Sequence, residues 1–150
     1  IATAGTDSAR RTADDPAALD RLLSLPHAHL IVDGYNVTKT GYPELPLCDQ
    51  RDRLVGQLSV LAARFGCEIT LVFDGAAVVS VPAASRRGVR VLFSKAGVLA
   101  DDVIRRLVRA EPQGRPLVVA TSDRAVVESV RAHGANPVAS AVLLERLQRP

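Results

Sequence analysis

AHLIVDGYNV, residues 28–37, is the stretch on which the reading of the whole chain turns. Leu30, Ile31 and Val32 form a short unbroken apolar run, the pattern of a strand buried on both faces of a parallel sheet. The run stops at Asp33-Gly34, which reads as a turn pair, and Tyr35 and Asn36 follow. An acid at the carboxyl end of a buried strand stands where open α/β sheets place their ligands. The theme recurs along the chain: LVFDG ends in Asp74, VVATSD ends in Asp123, and a helix opens with Ala100-Asp101-Asp102.

Upstream of this stretch, Asp15-Pro16 is a helix-start signal, a cap followed by proline at the first helical position. A short helix over residues 17–24 is expected, with Leu19, Leu22 and Leu23 at helical spacing. Residues 1–15 are small, polar and charged and read as a linker or disordered terminus. The chain begins at Ile1 and contains no Met, so it is read as part of a longer protein with an upstream domain. Residues 16–150 form the expected domain.

Downstream, TKTGYPELPLC reads as a loop leading to a helix over residues 49–65. Leu54, Leu58, Leu61 and Phe65 make its apolar stripe, and Gly66 ends it. Strands are expected over 68–73, 89–93, 117–120 and 137–139, and helices over 101–110, from 123 to 133 and over 140–148. Residues 75–88 read as irregular. This alternation of strand and helix predicts an α/β fold, a three-layer α/β/α sandwich with a mostly parallel central sheet of four to five strands. All loops following strands then share one edge, and that edge collects Asp33, Asp74, Asp123 and the start of the Asp101 helix.

Composition narrows the function. The 150 residues suffice for one domain with a real core. Aromatic content of 3% leaves few base-stacking platforms, and a net charge of +3 is compatible with nucleic acid without demanding it. No apolar run approaches the ~20 residues of a membrane span, so no membrane partner is expected. Cys48 and Cys67 form no metal-binding pattern and read as reduced thiols. With no signal-peptide pattern at the start, a cytoplasmic location is expected.

Each acid also has a plain structural use. Asp-Gly is a common turn pair, and Asp101 and Asp123 stand where helix N-caps belong. Capping does not require four acids on one edge, however, where like charges repel. A bound cation relieves that conflict, and carboxylates without nearby His or Cys suit Mg²⁺ or Mn²⁺ rather than zinc. Helical phase turns Asp102 away from the Val103/Ile104/Leu107/Val108 face, so Asp101 is the expected site acid and Asp102 a secondary one. Arg51, in the first turn of the long helix, is placed either to hold a carboxylate or substrate phosphate or to snorkel at the surface. Carboxylate-held metal beside basic residues suits phosphodiester hydrolysis. Asn36 is a candidate to orient an acid or contact a nucleotide, and Ser122 to hydrogen-bond metal-bound water. Tyr35, Lys39, Arg86, Arg87 and Lys95 are the candidate RNA contacts, with Arg90 a weaker member of the basic cluster.

The ordered set DGYN, Arg51-x-x-Leu-Val, VFDG, Ala-Asp-x-x-Ile, TSD and a terminal Gly-Ala…Ser-Ala…Leu resembles the NYN domain. It is most similar to the YacP-like branch of the PIN-like nuclease superfamily, near actinobacterial NYN-domain RNA-binding proteins, over about residues 28–147. The resemblance implies a PIN-like sandwich and Mg²⁺- or Mn²⁺-dependent endoribonuclease chemistry. Asp33, Asp101 and Asp123 would hold the metal and Asp74 would complete the shell, with Asn36 and Arg51 also matched. It implies RNA as partner, with the ribosome and a homodimeric second copy as further candidates. The second motif reads FDG where the branch more often has FDA, beside an intact acid. A non-cleaving RNA-binding or ribosome-associated module is the alternative. A receiver-like signalling domain fits poorly, because Lys95 and Asp123 follow the wrong strands. A dinucleotide-binding domain fits worse, since no GxGxxG follows the first strand.

Overall fold

The computed structural model describes residues 14–75, 86–95 and 97–149. The expected terminal linker up to residue 13, and residues 76–85 of the irregular segment, lie outside the described residues. Five strands form one sheet: β1 His29–Asp33, β2 Glu68–Phe73, β3 Val89–Phe93, β4 Leu117–Ala120 and β5 Asn136–Val138. Their order is β3-β2-β1-β4-β5 and every pairing is parallel. The chain starts in the middle, builds outward through β2 and β3, then returns to add β4 and β5 on the other side. The direction of winding therefore reverses between β1 and β4. That switch point opens a crevice at the carboxyl ends of the strands.

Helices cover both faces: α1 Pro16–Leu23, α2 Gly34–Gly41, α3 Leu47–Phe65, α4 Ala100–Ala110, α5 Arg124–Ala132 and α6 Ser140–Leu147. Alternation along the strands sorts the core into two clusters. Leu30, Val32 and Leu71 pack with Leu19 of α1, Val37 of α2, Leu54 and Leu58 of α3 and Leu143 of α6. Ile31, Val72 and Val119 pack on the opposite face with Ile104 and Val108 of α4 and Val126 and Val130 of α5. This is the expected three-layer sandwich. The cap on α1 is also as expected, the Asp15 carboxylate accepting the Ala18 N–H at 2.7 Å. No described helix is long and apolar enough to cross a membrane.

The main departure from the sequence reading lies just after β1. DGYN does not lead into a loop: α2 begins at Gly34 directly after the strand, and α3 begins at Leu47 rather than Asp49. Asp33-Gly34 is therefore a strand-to-helix junction, not a turn. The glycine is needed for space. A Cβ at Gly34 would sit 2.3 Å from the Phe73 ring and 2.9 Å from the Val72 carbonyl oxygen, so the first turn of α2 runs flush against β2. Gly75 has the same use: its Cβ would lie 1.9 Å from the Ser94 carbonyl oxygen, while its N–H donates to Ser94 Oγ at 3.0 Å. GYNVTKTG is a poor helix former by composition. It is held helical by burial of Gly34, Tyr35, Val37 and Thr38.

Candidate active site

The strand parity that buries Ile31 and Val72 against α4 and α5 carries Asp33 and Asp74, two residues further on, to the same side of the sheet. Thr121, two residues after Val119, follows the same rule, and its hydroxyl donates to Asp33 Oδ2 at 2.9 Å across the switch point. The helices on that face begin at the same edge, bringing Asp101 in the first turn of α4 and Asp123 at the N-cap of α5. All four acids line one open cleft of about 530 Å³, together with Tyr35, Asn36, Lys39 and Thr40 of α2.

Asp33 is the most perturbed of the acids. Burial pushes its carboxyl up to about 6, repulsion from Asp123 and Asp101 adds to the rise, and the Thr121 hydrogen bond opposes it. Asp123 has two functions at once. Its Oδ1 accepts the N–H groups of Ala125 at 2.9 Å and Val126 at 3.3 Å. Both capping bonds fall on that one oxygen, so the structural use of the residue coexists with a place in the cleft. Asp101 is not a cap, because Leu99 occupies the N-cap position of α4. Its side chain is 26% exposed against 53% for Asp102, as helical phase predicts, and Arg105 lies 3.9 Å from Asp101 and 3.4 Å from Asp102.

The donor set fits a hard divalent cation. It consists of carboxylate oxygens without His or Cys, the chemistry preferred by Mg²⁺ or Mn²⁺. No three of the aspartates bring their oxygens within 4.8 Å of one another among the described residues. That spacing suits an ion that keeps much of its water and is held by the carboxylates partly through it. The one tighter cluster found among the described residues is His29, Glu68 and Glu111, at the opposite edge of the sheet. Its members already pair with one another and with Arg115. Arg115 donates to Glu111 Oε2 and Glu68 Oε1, each at 2.9 Å, while buried His29 meets Glu111 through Nδ1 and Thr70 Oγ1 through Nε2. The Arg115 hydrogen bond holds the Glu68 carboxyl below its usual range, against the effect of burial and with help from nearby positive charge. Its members lie up to 86 residues apart (His29 to Arg115), so sequence spacing offered no sign of this cluster.

The remaining candidates divide sharply. Asn36 is in the cleft, and its Oδ1 accepts the Ser122 N–H at 2.8 Å and the Ser140 hydroxyl at 2.7 Å. Ser122 does not present its hydroxyl to the acids; Oγ accepts the Ser140 N–H at 3.0 Å, at the start of α6. Arg51 is not a snorkelling surface arginine. It is 4% exposed, and NH1 donates to the Tyr35 hydroxyl at 2.9 Å, propping the ring that lines the cleft. Tyr35 in turn packs on Phe73 with ring centroids 4.8 Å apart, and the Lys39 ammonium lies 5.4 Å over the Tyr35 ring. Lys95 follows β3 at the acid-bearing edge, outside the cleft lining. Arg86 and Arg87 precede β3, and Arg90 is its second residue, so these three lie toward the amino ends of the strands. A five-residue strand, roughly 16 Å long, separates Arg86 and Arg87 from the acids. The basic cluster read from the sequence is thus split, with Lys95 at the acid-bearing edge and the three arginines toward the other.

The YacP-like NYN domain family matches residues 30–150. The fold superposes on the crystal structure of Rae1 (YacP) from Bacillus subtilis with a TM-score of 0.70 and 26% identity, covering 80% of this chain and 73% of that one. A tryptophan-to-leucine variant of the same Bacillus subtilis protein superposes with a TM-score of 0.66 and 26% identity, covering 80% of this chain and 74% of the other. No match is found among curated proteins.

Proposed function

Since the chain belongs to the YacP-like NYN domain family, within the PIN-like nuclease superfamily, we propose that it is a Mg²⁺- or Mn²⁺-dependent endoribonuclease. The observation that carries this reading is the meeting of Asp33, Asp101 and Asp123 at the switch point, where burial and mutual repulsion hold Asp33 at about 6. A site built only for stability gains nothing from that arrangement. A site that takes a cation recovers the cost on binding.

Asp33, Asp101 and Asp123 would hold the cation, and Asp74, on the β2 side of the cleft, would complete the shell or orient water. When bound, a divalent cation supplies Lewis-acid activation of water and of the phosphate. The chain's own residues do the rest. Thr121 fixes one oxygen of Asp33, and the α5 cap fixes one oxygen of Asp123. The protein thus aligns two carboxylates before any ligand arrives, which lowers the ordering cost of binding. Lys39 offers the positive charge that a phosphodiester needs beside an acidic pocket. Tyr35, held by Arg51 and Phe73, provides a rigid wall.

The test is incubation of the protein with end-labelled single-stranded RNA, with Mn²⁺ or with EDTA, beside Asp33→Asn and Asp123→Asn. Asparagine keeps the helix-capping oxygen, so loss of cutting in the second variant reports on the site rather than on α5. Metal-dependent internal cuts absent from both variants are the expected result. RNA binding without cutting in all three proteins would overturn the nuclease reading in favour of a binding module.

A further inference from the structure

The hydrogen bonds around Asn36 determine which end of its amide the cleft receives. A backbone N–H can only donate, so the atom that meets the Ser122 N–H at 2.8 Å must be the carbonyl oxygen. The Ser140 hydroxyl donates to the same Oδ1 at 2.7 Å. Both lone pairs of that oxygen are therefore engaged on the side of α6. The amide is planar, so Nδ2 points the other way. Asn36 lines the cleft, and with Oδ1 engaged, Nδ2 is the amide atom left to face it.

Ser140 is built to hold this arrangement. It is the first residue of α6, fully buried, and its N–H is satisfied by Ser122 Oγ. Ser122 and Ser140 thus clasp each other and jointly grip one oxygen. The Ser140 hydroxyl crosses from α6 to the closely packed α2 and holds the Asn36 amide against rotation.

We propose that Ser140 is a positioning residue that locks Asn36 so that Nδ2 donates to an RNA phosphate oxygen in the cleft. Asn36 is thereby a substrate ligand and not a metal ligand, since its only metal-binding atom is occupied. In a cleft lined by four acids, an uncharged donor of fixed direction recognises the anion without neutralising the carboxylates that hold the cation. The proposal rests on the nuclease reading for its substrate, but it is tested without any need for cutting.

Two affinities are measured on the whole chain: Mn²⁺ alone by calorimetry, and single-stranded RNA in Ca²⁺ by fluorescence anisotropy. Asn36→Ala is expected to weaken RNA binding roughly tenfold, the scale of one hydrogen bond to a charged group, and to leave Mn²⁺ affinity within about twofold. Ser140→Ala is expected to weaken RNA binding in the same direction and to a smaller extent. In the Asn36→Ala background, Ser140→Ala should have no further effect on RNA, because it acts only through the amide. A full additional loss in that double variant would show that Ser140 is merely structural. A matching loss of Mn²⁺ affinity in Asn36→Ala would make Asn36 a metal ligand and overturn the proposal. If the wild-type chain binds RNA and cuts none, the nuclease reading fails while these comparisons still decide the role of Asn36. Absence of RNA binding by the wild-type chain would overturn both.

Discussion

Replacing Asp33 with asparagine should stabilise the cation-free protein, although it removes the central acid of the site. Burial is the largest cause of the raised Asp33 carboxyl, with repulsion from Asp123 and Asp101 adding to it, and the group sits at about 6 against an ordinary 3.8. A folded-state value above the unfolded one means that the native state binds the proton more tightly. The acid therefore costs no stability below its unfolded value. The cost grows as pH rises through the folded value and is constant above it. About two units at about 1.4 kcal/mol each give a penalty near 3 kcal/mol at pH 7.5. Asparagine still accepts from Thr121, and the stronger bond that the carboxylate makes is already contained in that raised value. The gain of about 3 kcal/mol corresponds to a rise in Tm of about 6–12 °C for a domain of this size. Differential scanning calorimetry in EDTA at pH 7.5 and pH 4 measures it. The gain should be present at pH 7.5 and fall to a small remainder at pH 4, and Mg²⁺ should raise the Tm of the wild-type protein but not of Asp33→Asn. A variant less stable than wild type in EDTA at pH 7.5, or equally stabilised at both pH values, would refute the electrostatic argument.

Gly34→Ala should destabilise the fold by about 2–3 kcal/mol, measured by urea unfolding, because the new methyl group meets the buried Phe73 ring and the Val72 carbonyl. Arg115→Ala should remove the hydrogen-bonding guanidinium from Glu68 and Glu111 and cost about 1–2 kcal/mol, while RNA cutting at the opposite edge stays unchanged. In the wild-type protein the depressed Glu68 carboxyl contributes stability above its unfolded value, which is lost as pH falls through the folded one. That acid limb should flatten in Arg115→Ala when stability is followed from pH 7 downward. Lys39→Ala should raise KM for RNA and reduce the salt dependence of log KM by about 0.7, whereas the Arg86→Ala/Arg87→Ala double variant should alter neither, given its place at the far ends of the strands.

Much of this molecule is legible in one dimension. The unbroken apolar runs of β1, β2 and β4 determine a parallel sheet, because strands covered on both faces have no polar side to show. The alternation of those runs with amphipathic helices determines the layers, and the acid after each run determines which edge carries the chemistry. The phase of α4 separates Asp101 from Asp102 by the same kind of local rule. The helix after β1 escaped because its buried face is made partly of Gly34 and Thr38, residues whose burial only the neighbouring β2 explains. Arg51 escaped in another way: helical phase placed it near the apolar stripe, but its partner Tyr35 lies on a separate element. The orientation of the Asn36 amide and the His29–Glu68–Glu111–Arg115 network depend on contacts between residues tens of positions apart. Sequence alone determined the elements, the layers and the acidic edge, since these follow from periodicity within a dozen residues. Tertiary structure decided which polar atoms face the cleft, because a hydrogen bond is set by direction in space and not by distance along the chain.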